Sequence, residues 1–375
     1  MHYHIILTED CNLQCKYCYE KSMQEFDNGL DKKFKFDFCE PCDSSVDLAK
    51  LKKFLSQDPN PVLIFYGGEP LLKANKIVEI IDYLKDLPMK YRMQTNALNL
   101  KLLSIEYLKK IDKMLVSVDG CKDRTDYNRG KGVFDKLMNN LKWARENGYT
   151  GEIVARMTIA QEFPDVFEQV KYLTTLIDCG IFSSIHWQLD VGFYKFDYEY
   201  NKIKNFFEEY NKSNKKLIDW WFSNVQNGKV YRIYPFVGIV KPIINNQKCE
   251  LRCGSGYLGY TITTSGKIVH CPIMNSIEDF KAGTLNNKPS ELKKFDCKSK
   301  CGNCDVYDLC GGRCMYWRYA ELWPEEGNEM ICDSIKFYIN EIKSKMNDIN
   351  RLIDSNVVKK DDFNYEDNFG PEIIP

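Results

Sequence analysis

The sequence predicts an α/β protein: a partial (β/α)6 TIM-like barrel followed by a cysteine-rich domain. Three observations predict it. Short apolar runs alternate with amphipathic segments over about the first 230 residues, six such pairs are too few for a closed eight-fold barrel, and Gly, Pro and Cys become frequent from Tyr234 onward. The strands, in order, are His2 to Thr8, Pro61 to Tyr66, Tyr91 to Thr95, Lys113 to Asp119, Glu152 to Ile159 and Ser184 to Asp190. Segments such as Lys73 to Asp86, Val133 to Asn147 and Asp165 to Asp178 place apolar residues at helical spacing between them. Strand and helix in alternation require a parallel sheet, whose working loops lie at the C-terminal strand ends. Between Tyr198 and Asn224 the stripe Ile203, Phe206, Phe207, Tyr210, Leu217, Trp220 and Trp221 reads as a helix packing on the barrel. The domain boundaries expected are 1–233, 234–345 and a C-terminal tail, 346–375, whose acidic stretch after Ser355 is expected to be loosely ordered unless it docks.

The bulk numbers exclude several classes. Lys+Arg 52 against Asp+Glu 53 leaves a net charge of -1, so no overall field attracts nucleic acid or an anionic membrane. No apolar run reaches membrane-spanning length, and Glu9 and Asp10 come too early for a signal peptide. A cytoplasmic location is expected. Sixteen cysteines in such a chain point to metal rather than disulfides.

Cys11, Cys15 and Cys18 form a CxxxCxxC triad two residues past the first strand. Thiolates hold a 4Fe-4S cube one per iron, so three of them leave one iron open to a small molecule. Zinc with a distant fourth ligand and buried inert thiols are the other readings of three clustered cysteines. At this point the chain resembles the radical S-adenosylmethionine (SAM) superfamily, with Tyr17 before the last cysteine as part of the pattern. The resemblance implies SAM bound at the open iron and cleaved to a 5'-deoxyadenosyl radical, which removes hydrogen from an unactivated C–H bond.

Further motifs fall at the expected strand ends. Gly67-Gly68-Glu69-Pro70 follows the second strand and resembles the family's GGEP motif, implying a site for the SAM amine. Glycines there let a ligand approach the main chain. Ser117 and Asp119 end the fourth strand, and the resemblance assigns Ser117 and Arg129 to the SAM carboxylate, with Arg124 as a second arginine. Gln94, Asn96, Arg156 and Leu189 point to the same pocket by resemblance.

A second constellation comprises Cys253, Cys271, Cys301, Cys304, Cys310, Cys314 and Cys332. This resembles the seven-cysteine SPASM pattern, which carries auxiliary 4Fe-4S clusters; paired CxxC elements alone also suit zinc. Two clusters need eight thiolates, and Cys249 is the nearest eighth. By resemblance one cluster takes Cys249, Cys253, Cys271 and Cys314, and the other Cys301, Cys304, Cys310 and Cys332, making three clusters with the triad. Cys297 stands as a competing ligand, Cys179 reads as packing, and Cys39 and Cys42 form a CEPC loop suited to a redox pair, half a metal site or a plain loop. Cys121, after the Asp119-Gly120 turn, is a candidate hydrogen donor to a substrate radical or a buried small side chain.

The resemblance implies an enzyme that modifies a peptide or protein residue, reduced by a partner such as ferredoxin or flavodoxin. No extra leader-binding module is expected before the first strand, so that task is expected to fall to a separate protein, the SPASM region or the core. In sulfatase maturases an aspartate base follows the cysteine matching Cys271; here Pro272 stands instead, against formylglycine formation. The alternatives are a radical enzyme on a small metabolite and a non-catalytic iron-sulfur carrier.

Overall fold

The computed structural model describes residues 1–18, 32–37, 39–190, 198–295, 301, 303–321 and 323–367. It has the mixed α/β architecture with a parallel sheet that the sequence predicts. Cys297 and the last part of the tail, 368–375, lie outside the described residues. The six expected strands are β1 (His2–Ile6), β2 (Val62–Tyr66), β3 (Lys90–Thr95), β4 (Ile111–Ser117), β5 (Glu152–Ile159) and β6 (Ser184–Leu189). Three more follow: β7 (Gly259–Ile262), β8 (Lys267–Val269) and β9 (Lys281–Thr284). Among the described residues no helix is long and apolar enough to cross a membrane.

The chain divides into two compact units, each drawing on separated stretches. The first contains residues 1–118, 122–154 and 254–296. Its strands lie in the order β4-β3-β2-β1-β7-β8-β9. β1 pairs in parallel with β2 on one side, His2 opposite Val62, and with β7 on the other, His2 opposite Gly259. Every residue of β2 is buried, as a strand covered on both faces requires. β8 and β9 then return antiparallel. The N-terminal ammonium closes the opposite end of β1, pairing with Asp58 at 2.7 Å, which also accepts from the Tyr3 hydroxyl.

The second unit contains residues 119–121, 155–253 and 297–375. It includes β6 beside the later part of β5. The aromatic stripe lies on the helix Tyr200–Gln226, with Ile203, Phe206, Phe207, Tyr210, Leu217 and Trp221 buried. Within this unit that helix packs on the helices Phe167–Asp178 and Glu325–Lys343. Helical structure also continues where periodicity fades: Tyr234–Asn245 is a helix buried almost all round. A helix with no solvent face has no apolar period to read. The start of the tail docks. Phe363 meets Trp221, and Tyr365 meets Tyr234, with ring centroids 6.3 and 5.6 Å apart.

Candidate functional site

In the first unit the cysteine triad follows β1 on a loop held at three points. The Lys16 N–H donates to the Asn128 carbonyl at 3.0 Å, the Cys18 N–H to the Cys15 carbonyl at 3.2 Å, and the Asn96 amide to Asn12 Oδ1 at 2.7 Å. Cys11 is exposed, and Cys15 and Cys18 are half-buried. The Arg129 guanidinium stands 5.4 Å from the centre of the Tyr17 ring, a cation–π distance. Arg129 and Arg124 are both buried on the helix Lys122–Arg129. The structure therefore brings Tyr17, Asn96 and Arg129 to the triad loop.

The glycine pair has a different neighbour from the ligand expected of it. Gly67 has φ +142°, and a Cβ there would overlap the Thr8 carbonyl oxygen; a Cβ on Gly68 would overlap the Asp10 carbonyl. The Gly68 and Glu69 N–H groups donate to those same carbonyls, both at 2.9 Å. The pair thus admits the backbone that leads into Cys11, fixing where the triad begins.

Glu69 clamps the ends of β2 and β3. Its Oε1 accepts from the Thr95 hydroxyl at 2.7 Å and the Leu71 N–H at 3.0 Å, and its Oε2 from the Asn96 N–H at 2.8 Å. Burial pushes this carboxyl up to about 7, against three donors that favour the anion. A carboxyl raised in the fold contributes most below its unfolded value and loses that contribution as pH rises through the folded one. The melting-temperature advantage of wild type over Glu69→Gln is therefore expected to be larger at about pH 5 than at about pH 8. Equal advantages at both would show that burial does not control this group.

The CEPC loop is tied to the same lead-in. Glu40 accepts from the N–H and hydroxyl of Ser265 at 3.0 and 2.9 Å and pairs with Lys267, while the Cys42 carbonyl accepts from the Glu9 N–H at 2.8 Å. Both cysteines are exposed. Nothing in the local sequence marks Glu40 as this anchor, because its partners are more than 220 residues away. Gln94 and Ser117 lie at their strand ends, half-buried. Cys271 in this unit caps a short 3-10 turn, Pro272–Met274, so a ring rather than a carboxylate follows it.

In the second unit Asp119 is buried and its Oδ1 accepts the Thr158 N–H at 3.0 Å. The Cys121 N–H donates to Gln169 Oε1 at 3.0 Å, and its side chain is half-buried. Arg156 is engaged with His186 Nδ1 and Gln188 Oε1, and Leu189 is buried. Among the cysteines, burial pushes the Cys310 thiol up to about 11, and Cys332 and Cys301 add to the shift. Burial also raises Cys332, with Cys301 and Cys304 contributing. Cys310 thus feels the charge of Cys301 and Cys332, and Cys332 that of Cys301 and Cys304. Cys249 lies beside the short helix Tyr307–Cys310, its N–H donating to the Asp308 carbonyl at 2.8 Å. Arg252, which sequence reasoning missed, is buried and donates to the Gly238 carbonyl at 2.6 Å and to the Leu309 carbonyl.

The Radical SAM superfamily model matches residues 5–169, the stretch containing the triad, Glu69 and Arg129. Residues 5–169 are a radical SAM domain, and the chain is an enzyme. A cysteine-type anaerobic sulfatase-maturating enzyme of Clostridium novyi is 23% identical over 374 residues, 90% of this chain and 94% of that protein. Among solved structures, native anSMEcpe with bound AdoMet matches with a TM-score of 0.68 at 17% identity, covering 93% of this chain and 99% of that one. Streptococcus suis SuiB bound to precursor peptide SuiA matches with a TM-score of 0.54 at 14% identity, covering 84% and 71%. These likenesses show a shared fold. A radical SAM domain works with a 4Fe-4S cluster and SAM, and the donor set fits: three thiols on one tethered loop, at the spacing that leaves an iron open.

Proposed function

We propose that this protein is a radical SAM enzyme of the SPASM type that modifies a peptide or protein residue by C–H activation. The observation that carries the reading is the span of its likeness to a sulfatase-maturating enzyme, which runs through the cysteine-rich segment as well as the barrel. When bound, the cluster and SAM supply a 5'-deoxyadenosyl radical, the cofactor's share of the chemistry. The chain positions that chemistry and keeps water from it. Cys11, Cys15 and Cys18 hold the cluster. Arg129, steadied on Tyr17, and Ser117 receive the SAM carboxylate. Gly67, Gly68, Glu69 and Pro70 shape the amine site, and Gln94, Asn96, Asp119, Arg156 and Leu189 also serve SAM binding.

Residues 234–345 act as the auxiliary-cluster domain, with the eight cysteines from Cys249 to Cys332 as ligands of two further 4Fe-4S clusters. Ferredoxin or flavodoxin serves as reductant. A separate protein, the SPASM region or the core recognises the peptide substrate. Cys121 returns a hydrogen atom to the substrate radical. Pro272 after Cys271 leaves no carboxylate at that position, which supports a modification other than formylglycine.

Co-expression with each short reading frame encoded beside the gene tests this. The expected result is a mass change in one peptide, or deuterium uptake in deuterated medium, that disappears when Cys11, Cys15 and Cys18 are all alanine. A cluster-replete enzyme that changes no peptide yet turns over a small metabolite would overturn it. Formylglycine in a co-expressed sulfatase would overturn the part that rests on Pro272.

A further inference from the structure

Three donors in the second unit are buried without an acceptor among the described residues: Nη1 of Arg313, Nε1 of Trp317 and Nε1 of Trp323. Their residues are 8%, 4% and 3% exposed. A buried donor left unmet is costly, so three in one place call for an acceptor.

They stand together. The indole rings of Trp317 and Trp323 meet edge to face with centroids 5.1 Å apart. Arg313 Nη2 donates to Asn328 Oδ1 at 2.8 Å, and Asn328 Nδ2 donates to the Trp323 carbonyl at 3.2 Å. Asn328 precedes Cys332 by four residues on the helix Glu325–Lys343, so the two share a face. Arg313 directly precedes Cys314, and Trp317 lies on the short helix Met315–Ala320 that Cys314 caps. The guanidinium also opposes the burial that raises the Cys332 thiol.

The acceptor has to suit donors alone. Arginine and indole N–H groups offer no lone pair, and the arginine keeps its charge at any working pH. Thiolate and sulfide sulfurs of an iron-sulfur cluster are anionic acceptors, and hydrogen bonds to them are among the factors that set its potential. We propose that Arg313, Trp317 and Trp323 are redox-tuning residues of the cluster on Cys301, Cys304, Cys310 and Cys332. Their N–H groups donate to its sulfurs, favour the more negative reduced state and raise its potential. The proposal rests on the reading of those cysteines as cluster ligands.

The test is an anaerobic redox titration followed by electron paramagnetic resonance, on the full chain with Cys11, Cys15 and Cys18 replaced by alanine. This chain should hold about eight irons in two couples. Arg313→Gln is expected to lower one couple, changing its oxidised-to-reduced ratio at fixed potential about tenfold, or 59 mV for one electron. The other couple should stay in place. Arg313→Lys should recover part of the shift, and Trp317→Phe should move the same couple the same way by less.

An unmoved couple in iron-replete Arg313→Gln, or equal movement of both, overturns the proposal. If Arg313→Gln does not hold its iron, Trp317→Phe decides by the same rule. Absence of iron from the triad-free parent sinks the ligand reading itself and the proposal with it. Full iron with unmoved couples sinks only the tuning role.

Discussion

A Cys15→Ala chain is expected to form no detectable 5'-deoxyadenosine and to lose about four irons while keeping the rest. Cys15 is half-buried on a loop held by main-chain and amide hydrogen bonds. The Cys15 carbonyl, which alanine retains, accepts the Cys18 N–H. The loop is also tied at Lys16 to Asn128 and at Asn12 to Asn96. With two thiolates left, a four-iron cube lacks a protein ligand on two of its irons. The substitution should therefore remove the cluster and leave the fold. Iron and sulfide analysis, product chromatography and a thermal melt on the same sample check this. Deoxyadenosine formation at the wild-type rate would show that the triad is not the SAM cluster site.

The second large effect is expected at Gly67. An alanine there meets two penalties: a backbone at φ +142° that L-residues rarely adopt, and overlap of its Cβ with the Thr8 carbonyl. Such strain costs about 1–3 kcal/mol, and overpacking against main chain adds a further ~1–3 kcal/mol. Gly132→Ala is the control, because its φ of +83° is also positive but nothing lies within 4 Å of the added Cβ. Gly67→Ala should melt well below Gly132→Ala and should bind less triad iron, since Thr8 to Asp10 must move to admit it. Equal melting temperatures would show that the close approach of the two segments is not what requires glycine.

The strands β1 to β6 were legible because each is an apolar run bounded by turn residues, and Glu152–Ile159 falls where the pattern puts it. β7, β8 and β9 were not, since four, three and four residues are too short for alternation to register. The helix Tyr234–Asn245 was hidden for the opposite reason: it is apolar on every side and carries Pro242. At the site, the motif at 67–70 was legible as a position but not as a contact. Its glycines face main chain sixty residues earlier in sequence. Glu69 reads as part of a ligand loop, yet its carboxylate oxygens are taken up by Leu71, Thr95 and Asn96. The donors around Asn328 left no trace in the sequence, because two bends and a short helix supply them separately.

The pairing of β1 with β7 sets an order of events at the ribosome. Gly259 is made more than 250 residues after its partner His2. Such distant pairings form slowly, since the loop must close before the contacts form, and synthesis at about 5–20 residues per second adds its own delay. Until Gly259–Ile262 emerges, the strand that leads to the triad has β2 on one side and an open edge on the other. Iron delivery to Cys11, Cys15 and Cys18 is accordingly expected to follow the synthesis of Gly259–Ile262. A nascent chain stalled before residue 259 should leave those thiols open to alkylation.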